Sequence, residues 1–237
     1  MKNYKPLLIA EIGLNYLGQK KFLFHYLNKI SKNYVDGITL QLLTKKFYNG
    51  KFRKYYLDDK TIFKFIDASK KKFRFVGIAS DNTEIITKLK KKIDFVKILS
   101  KDFSNTKLIN HCIKEKINEI YLSTGFEKSL IKIKKNLKKN NSKKLNIIHT
   151  NLKKNNLEIN LSYIEKLRKS LKLQISYGNH SNFTNTIPNS IFFFPKTIFF
   201  YVKLNNDKQK FPDDKHAIKV NEIKNIVLKI NQNIMTL

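Results

Sequence analysis

Residues 7–13, Leu7-Leu8-Ile9-Ala10-Glu11-Ile12-Gly13, form a short apolar run that holds a single carboxylate, and runs of this kind return seven more times. The others span residues 37–43, 73–80, 95–100, 119–125, 144–151, 173–180 and 197–204. Each is short and rich in Ile, Val, Leu, Phe or Tyr, as expected of strands buried on both faces. Between most of them lies a lysine-rich stretch with apolar residues at helical spacing: Leu23, Leu27 and Ile30 in the first, Leu130, Ile133 and Leu137 in the fifth. The last carries Ile223, Ile226, Val227 and Ile230, an i, i+3, i+4, i+7 stripe. Asn105 and Asn160 read as caps of the fourth and sixth helices.

Eight strand–helix units predict an α/β fold of the parallel (β/α)8 TIM-barrel kind, with an open doubly wound sheet as the alternative. The 237 residues fall slightly under the length usual for such a barrel, so the connections must be lean. Residues 1–237 read as one barrel domain, without an internal repeat or a domain-sized linker. Two units are irregular. Residues 44–59 make a long polar and aromatic loop, and residues 181–194, interrupted by Pro188, are too few for a long seventh helix. The lysine tracts at 134–144 and 153–156 read as helix ends and surface loops.

The chain carries 48 Lys+Arg against 18 Asp+Glu, a formal charge of +30. Nucleic acid is nevertheless not the expected partner. Only Arg53, Arg74 and Arg168 supply guanidinium groups, the fork preferred for phosphate and base edges. Lys, Asn, Ile, Phe and Tyr are abundant together while Trp is absent, which an AT-rich coding bias produces without any polyanion partner. The field still draws small anions toward the protein. One cysteine cannot form an internal disulfide. No signal peptide is evident at residues 1–8, and the longest apolar stretch, 191–204, is broken by Pro195, Lys196 and Lys203. It is shorter than the ~20 residues of a spanning helix, so a cytoplasmic protein without membrane contact is expected.

In such a barrel the chemistry sits at the carboxyl ends of the strands. Those positions hold Glu11 and Asn15, Gln41, Ser80 with Asp81 and Asn82, and Lys97 with Ser100, Lys101 and Asp102. They continue with Ser123 and Thr124, His149 and Asn151, Asn179 and His180, and Lys203 and Asn205. A polar rim is ordinary. Glu11, Lys97, His149 and His180, however, lie within or beside apolar runs, where an ionisable group is costly unless paired or used. No P-loop, dinucleotide glycine fingerprint, CxxC pair or HExxH occurs, which leaves nucleotide hydrolysis and zinc proteolysis without support.

At these positions the sequence resembles the N-acetylneuraminate (sialic acid) synthase family. Ile9-Ala10-Glu11-Ile12-Gly13-Leu14-Asn15, with Gly18, looks like that family's first strand. Val96-Lys97-Ile98-Leu99-Ser100-Lys101-Asp102 is similar to "YKIASGD", Leu122-Ser123-Thr124-Gly125 to "LSTG", Ile148-His149-Thr150-Asn151 to "LHCT" and Tyr177-Gly178-Asn179-His180-Ser181 to "YSDHT". The motifs come in family order, one per strand, and cover nearly the whole chain. The resemblance implies condensation of phosphoenolpyruvate with the aldehyde of an N-acyl hexosamine, giving a nonulosonic (sialic-type) acid and phosphate in carbohydrate biosynthesis. It implies a divalent cation, Mn2+ or Mg2+, and a homodimeric assembly. Lys97, Ser100, Ser123 and Asn151 would map to the phosphoenolpyruvate site, and His180 to the metal. Glu11 would be the acid/base or aldehyde-orienting carboxylate. Asn15, Gln41, Ser80 and Glu127 complete the expected substrate contacts, with Gln41 and Glu127 facing the sugar.

The departures are as specific. The family's "VKFQ" lysine is Thr39 here, and its "EKHF" strand, with a second metal histidine, is replaced around Phe199-Phe200-Tyr201-Val202-Lys203. The "NHNG" histidine is Tyr16, and "YSDH" has become Tyr177-Gly178-Asn179-His180. The family's small antifreeze-like C-terminal domain is expected to be absent from this barrel. These losses motivate a second reading, a barrel that keeps the phosphate pocket and serves as a binding or scaffold subunit. Plainer readings stand beside each residue: Glu11 and Lys97 as a barrel-interior ion pair, His149 as a core histidine, Ser123-Thr124-Gly125 as a capped turn, and Asp213, Asp214 and His216, which weakly resemble the family's "GPDH" loop, as the start of the last helix. His25, His111 and Cys112 read as structural.

Overall fold

The computed structural model describes residues 4–125, 130–140, 144–152, 159–206 and 208–237. Eight strands, β1 (Leu7–Gly13), β2 (Gly37–Leu42), β3 (Phe75–Ser80), β4 (Phe95–Ile98), β5 (Glu119–Ser123), β6 (Leu145–Thr150), β7 (Ile175–Asn179) and β8 (Thr197–Lys203), pair in parallel in chain order. β1 also pairs with β8, from Leu7 opposite Thr197 to Glu11 opposite Tyr201. That last pairing leaves the eight strands no free edge, so the sheet is a closed (β/α)8 barrel and not the doubly wound alternative. A two-residue strand, β9 (Ile218–Lys219), pairs in parallel with the end of β8, Ile218 opposite Val202 and Lys219 opposite Lys203.

The helices are α1 (Lys20–Lys29), α2 (Asp59–Lys70), α3 (Thr83–Leu89), α4 (Thr106–Lys114), α5 (Leu130–Asn140), α6 (Ser162–Leu171), α7 (Thr186–Asn189) and α8 (Ile223–Met235). Side chains of Asp58, Asn82 and Asn105 accept hydrogen bonds from the first-turn amides of α2, α3 and α4, the last as expected from sequence. Asn160 does not cap α6. Its φ of 43° places it in the left-handed region, and the cap position passes to Leu161. The short segment around Pro188 holds one turn of helix followed by a 3-10 turn, Ser190–Phe193. The loop after β2 folds into two further 3-10 turns, Lys45–Tyr48 and Gly50–Tyr55. Among the described residues no helix is long and apolar enough to cross a membrane.

Strand alternation divides the core in two. Leu8, Ala10, Ile12, Ile38, Val76, Val96 and Phe200 face the helices and join the main apolar cluster. Ile9, Phe95, Tyr121, Ile148 and Phe199, with Phe75 packed beside them, form a separate cluster inside the barrel. Its rings meet edge to face, with centroids 5.0 Å apart for Tyr121 and Phe199 and 5.5 Å for Phe95 and Tyr121. This aromatic plug seals the lower barrel. Whatever the upper barrel holds therefore rests on an apolar floor.

The plug needs a residue without a side chain on β3. A Cβ on Gly77 would lie 2.3 Å from the Phe95 ring. Gly77→Ala is expected to cost about 1–3 kcal/mol by overpacking, read from the urea midpoint. Phe95→Leu in the same chain should recover part of the loss. An unchanged midpoint in Gly77→Ala would mean that the plug is not close-packed.

Candidate active site

Directly above the plug, β1 and β4 each point an ionisable side chain inward. The Lys97 ammonium donates to both carboxylate oxygens of Glu11, each at 2.6 Å. Glu11 is 2% exposed and Lys97 1%. Such burial is tolerable only because the two charges meet at hydrogen-bond distance. The rings of Phe199 and Tyr201 complete the surroundings, 5.2 and 5.7 Å from the lysine nitrogen. The pairing read as the plainer alternative for Glu11 and Lys97 is thus what the fold builds, and it stands toward the carboxyl-terminal end of the barrel strands.

Four further groups close over the pair. His180 follows β7, Tyr201 lies on β8, and Asp213 and His216 come from the loop between β8 and β9. Ring centroids of His180 lie 5.2 Å from Tyr201 and 4.7 Å from His216, and those of Tyr201 and His216 lie 5.0 Å apart. The loop is tied down by Asn15, whose amide donates to the Val202 carbonyl at 2.8 Å and accepts from the Asp213 amide at 3.1 Å. Gly13 makes the approach possible. It has φ +56°, and a Cβ there would lie 2.6 Å from the Tyr201 ring and 2.7 Å from an Asp213 carboxylate oxygen.

The electrostatics follow from this packing. Burial, then the neighbouring Glu11 charge, raises Asp213 from 3.8 to about 7, against the opposing pull of Lys97 and of the Leu14 amide. Burial, then Lys97 and Lys203, lowers His216 to about 4. His180 is held well below the usual histidine range by burial, then by His216 and Lys97. The Tyr201 phenol is pushed up by burial and by Glu11 and Asp213. Near neutral pH the mouth therefore holds two neutral imidazoles.

The remaining expected residues separate into two groups. Ser123 donates to the Thr150 hydroxyl at 3.1 Å, and Thr124 bridges to the Thr150 backbone. Gly125 abuts Ser100, which opens the 3-10 turn Ser100–Asp102, and Asn151 is buried after β6. These form a hydroxyl-rich wall across the ends of β4, β5 and β6. Gln41 is half-buried on the inward parity of β2, two residues past Thr39. The Thr39 hydroxyl, opposite Glu11 in the β1–β2 register, is buried without a hydrogen-bond partner. Ser80 shares the helix-facing parity of Val76 and Ile78, and its hydroxyl accepts from the Asn82 amide at 3.0 Å. His149 faces outward, against Tyr163 of α6 and the Ile159 carbonyl. Glu127 lies outside the described residues.

Lys101 and Lys203, two further lysines past the strand ends, are both engaged: Lys101 with Asp81 and Asp102, Lys203 with Asp214. Sequence reading missed Tyr201 as a lining residue; Asp213 and His216, read either as weakly similar to the family's "GPDH" loop or as the start of the last helix, lie in the loop between β8 and β9 and not in that helix. As a cation site the mouth is incomplete but suited. Among the described residues no three His, Cys, Asp or Glu side chains gather to hold a metal ion. Yet Nε2 of His216 is buried without a hydrogen bond, beside His180. Neutral imidazoles fit a divalent cation whose other ligands are water or substrate oxygens.

A model of the NeuB family matches residues 30–237. Among curated protein sequences none matches the chain. Solved structures share the fold at low identity. An N-acetylneuraminic acid (sialic acid) synthetase from Leptospira borgpetersenii serovar Hardjo-bovis, in complex with citrate, is 18% identical with a TM-score of 0.87, covering 98% of this chain and 85% of that one. Spore coat polysaccharide biosynthesis protein spsE from Bacillus subtilis is 16% identical with a TM-score of 0.82, covering 99% and 69%. A truncated 3-deoxy-D-arabino-heptulosonate 7-phosphate synthase from Thermotoga maritima is 16% identical with a TM-score of 0.75, covering 99% and 88%.

Two outcomes follow from this geometry. Glu11→Gln and Lys97→Met should each cost about 3–5 kcal/mol in urea unfolding, because each strands a buried charge, while the double variant should recover most of that loss. Single variants as stable as the parent would mean that the pair is solvated. The second outcome concerns pH, in metal-free protein. Asp213, raised to about 7, adds stability that is full below 3.8 and is lost as pH rises through 7. His216, lowered from 6.5 to about 4, adds stability present above 6.5 and lost as pH falls toward 4. The two oppose each other. Asp213→Asn should therefore steepen acid destabilisation between those limits by about 1.4 kcal/mol per pH unit; an unchanged slope would show that Asp213 titrates as an ordinary carboxylate.

Proposed function

The chain belongs to the NeuB family, and we infer from that membership and from the mouth of its barrel that it is a synthase of the sialic acid type in carbohydrate biosynthesis. The reaction is condensation of phosphoenolpyruvate with an N-acyl hexosamine aldehyde. C3 of the enol attacks the aldehyde carbon, and the aldehyde oxygen takes up a proton. Water adds at C2, and loss of phosphate leaves the 2-keto acid. The observation that carries this reading is the ion pair of Glu11 and Lys97, buried at the catalytic end of the barrel beside neutral imidazoles.

Each residue then has a task. Lys97 meets the carboxylate or phosphate of phosphoenolpyruvate, and the hydroxyls of Ser100 and Ser123 with Asn151 line the same side. Glu11 orients the aldehyde and handles the proton at its oxygen. Gln41 meets the sugar, a role that the resemblance also gives to Glu127. Asn15 acts by holding the loop that carries Asp213. His180 would hold a divalent cation, which when bound polarises the aldehyde. The aromatic floor keeps water from reaching the enol from below. The cytoplasm suits these substrates, and the chain works as a homodimer in this reading.

A second reading rests on the same pair. Lys97 gives hydrogen bonds to both Glu11 oxygens, which also suits a barrel that binds phosphoenolpyruvate without turning it over. A coupled phosphate-release assay with phosphoenolpyruvate, Mn2+ and a panel of N-acyl hexosamines separates the two. Release that needs both substrates and falls about 100-fold or more in Glu11→Gln establishes the synthase. Binding without release, in folded protein, leaves the scaffold reading; neither binding nor release removes both.

A further inference from the structure

His180 and His216 reach the mouth from different directions, one at the end of β7 and the other from the loop after β8. Their rings are 4.7 Å apart at the centroids and inclined by 38°. Nε2 of His216 is buried and has no hydrogen-bond partner. The nearest carboxylate oxygen, on Asp213, is 3.7 Å away, beyond hydrogen-bond reach. Leaving such an atom unsatisfied is costly, so a partner for it is to be expected.

We propose that His216 is a metal ligand together with His180, so that a divalent transition-metal cation is held by two imidazoles from β7 and the β8–β9 loop and not by a side chain of β8.

Three observations support the pair. With metal–nitrogen distances of about 2.1 Å, two imidazoles on one cation have centroids roughly 4.6 Å apart at 90° and about 5.3 Å apart at the tetrahedral angle, and the 4.7 Å seen fits the former. The β8 residue facing them is Tyr201, whose buried phenol is a poor donor beside Glu11 and Asp213. The local charge also permits a cation. Glu11 cancels Lys97, Asp214 pairs with Lys203, and Asp213 adds a carboxyl group within reach of the His216 ring.

Two protein nitrogens make an open and weak site, with most positions left to water or to oxygens of a bound substrate. Cation and phosphoenolpyruvate should therefore strengthen each other's binding by the same factor. The inference rests on the synthase reading for the purpose of the cation, so the test uses metal without sugar. Metal-free protein is titrated with Co2+ by calorimetry and visible absorption, alone and with phosphoenolpyruvate. One Co2+ per chain is expected. His180→Gln and His216→Gln should each weaken it about tenfold or more, with His111→Gln, remote on α4, unchanged. Zn2+ added to wild-type protein carrying 15N-histidine should shift the imidazole resonances of both His180 and His216, a readout that needs no variant to fold.

No Co2+ uptake in either condition overturns the proposal. So does a His216→Gln protein that binds Co2+ like the parent, or a His216 resonance that Zn2+ leaves in place. Metal bound by both histidines without phosphate release supports the ligand pair and counts against the synthase. Phosphate release that is indifferent to His216 does the reverse.

Discussion

The ion pair of Glu11 and Lys97 is the constraint on which the rest of the barrel mouth depends. A carboxylate and an ammonium removed from water are costly apart and tolerable together, so β1 and β4 must present them at the same height on the barrel wall. The apolar plug below fixes that height. Ile9 and Phe95, two residues before Glu11 and Lys97 on their strands, belong to it, so the pair sits one step above a close-packed layer and cannot sink. Phe199 belongs to the plug and Tyr201 to the layer above, and both rings lie against the lysine nitrogen. The field of the pair then spreads outward. Glu11 raises Asp213, and Lys97 helps keep both histidines neutral.

The second requirement is that a loop distant in sequence return over the pair. Asn15 and Asp213 are joined by a direct hydrogen bond, and Gly13 leaves the space that Tyr201 and Asp213 enter. On the other flank, Gly18, with φ +73°, brings the chain against the Lys54 carbonyl, and the Tyr16 hydroxyl donates to the Tyr55 carbonyl. The exit of β1 thus anchors two long loops at once, those after β2 and β8. A substitution at Gly13 or Asn15 therefore acts on the mouth through position, without touching a reacting atom.

This division explains what could be read from the sequence. The eight strands were legible because a strand buried on both faces declares itself by local composition alone. Only the ends moved, as where residues 73 and 74 fell to the turn before Phe75. Glu11, Lys97 and His180 were legible because an ionisable group inside or beside an apolar run is an anomaly that needs no partner to be seen. Asp213 and His216 gave no such signal. They sit in a polar loop without periodicity, and their burial arises from contacts with Asn15, Gly13 and His180 far away in the chain. Asn160 failed for a local reason: its side chain suits a cap, but its backbone turns left-handed before the helix begins.

The charge balance of the mouth also sets a condition on any anionic substrate. Where the resembling family has a second lysine, this chain has Thr39, and its hydroxyl adds no charge. Lys101 and Lys203 are already paired with carboxylates of their own. Lys97 is therefore the one inward cation at this level among the described residues, and Glu11 holds it from both oxygens. An entering carboxylate or phosphate can reach Lys97 only by sharing it with Glu11 or by turning Glu11 away. Either course adds negative charge to a buried cluster that already contains two carboxyl groups. Such charge raises the affinity of its neighbours for protons, and Asp213, already poised near neutrality, is the group placed to take one up. A carboxyl group that can become neutral thus lets the mouth take on an anion without a second cation.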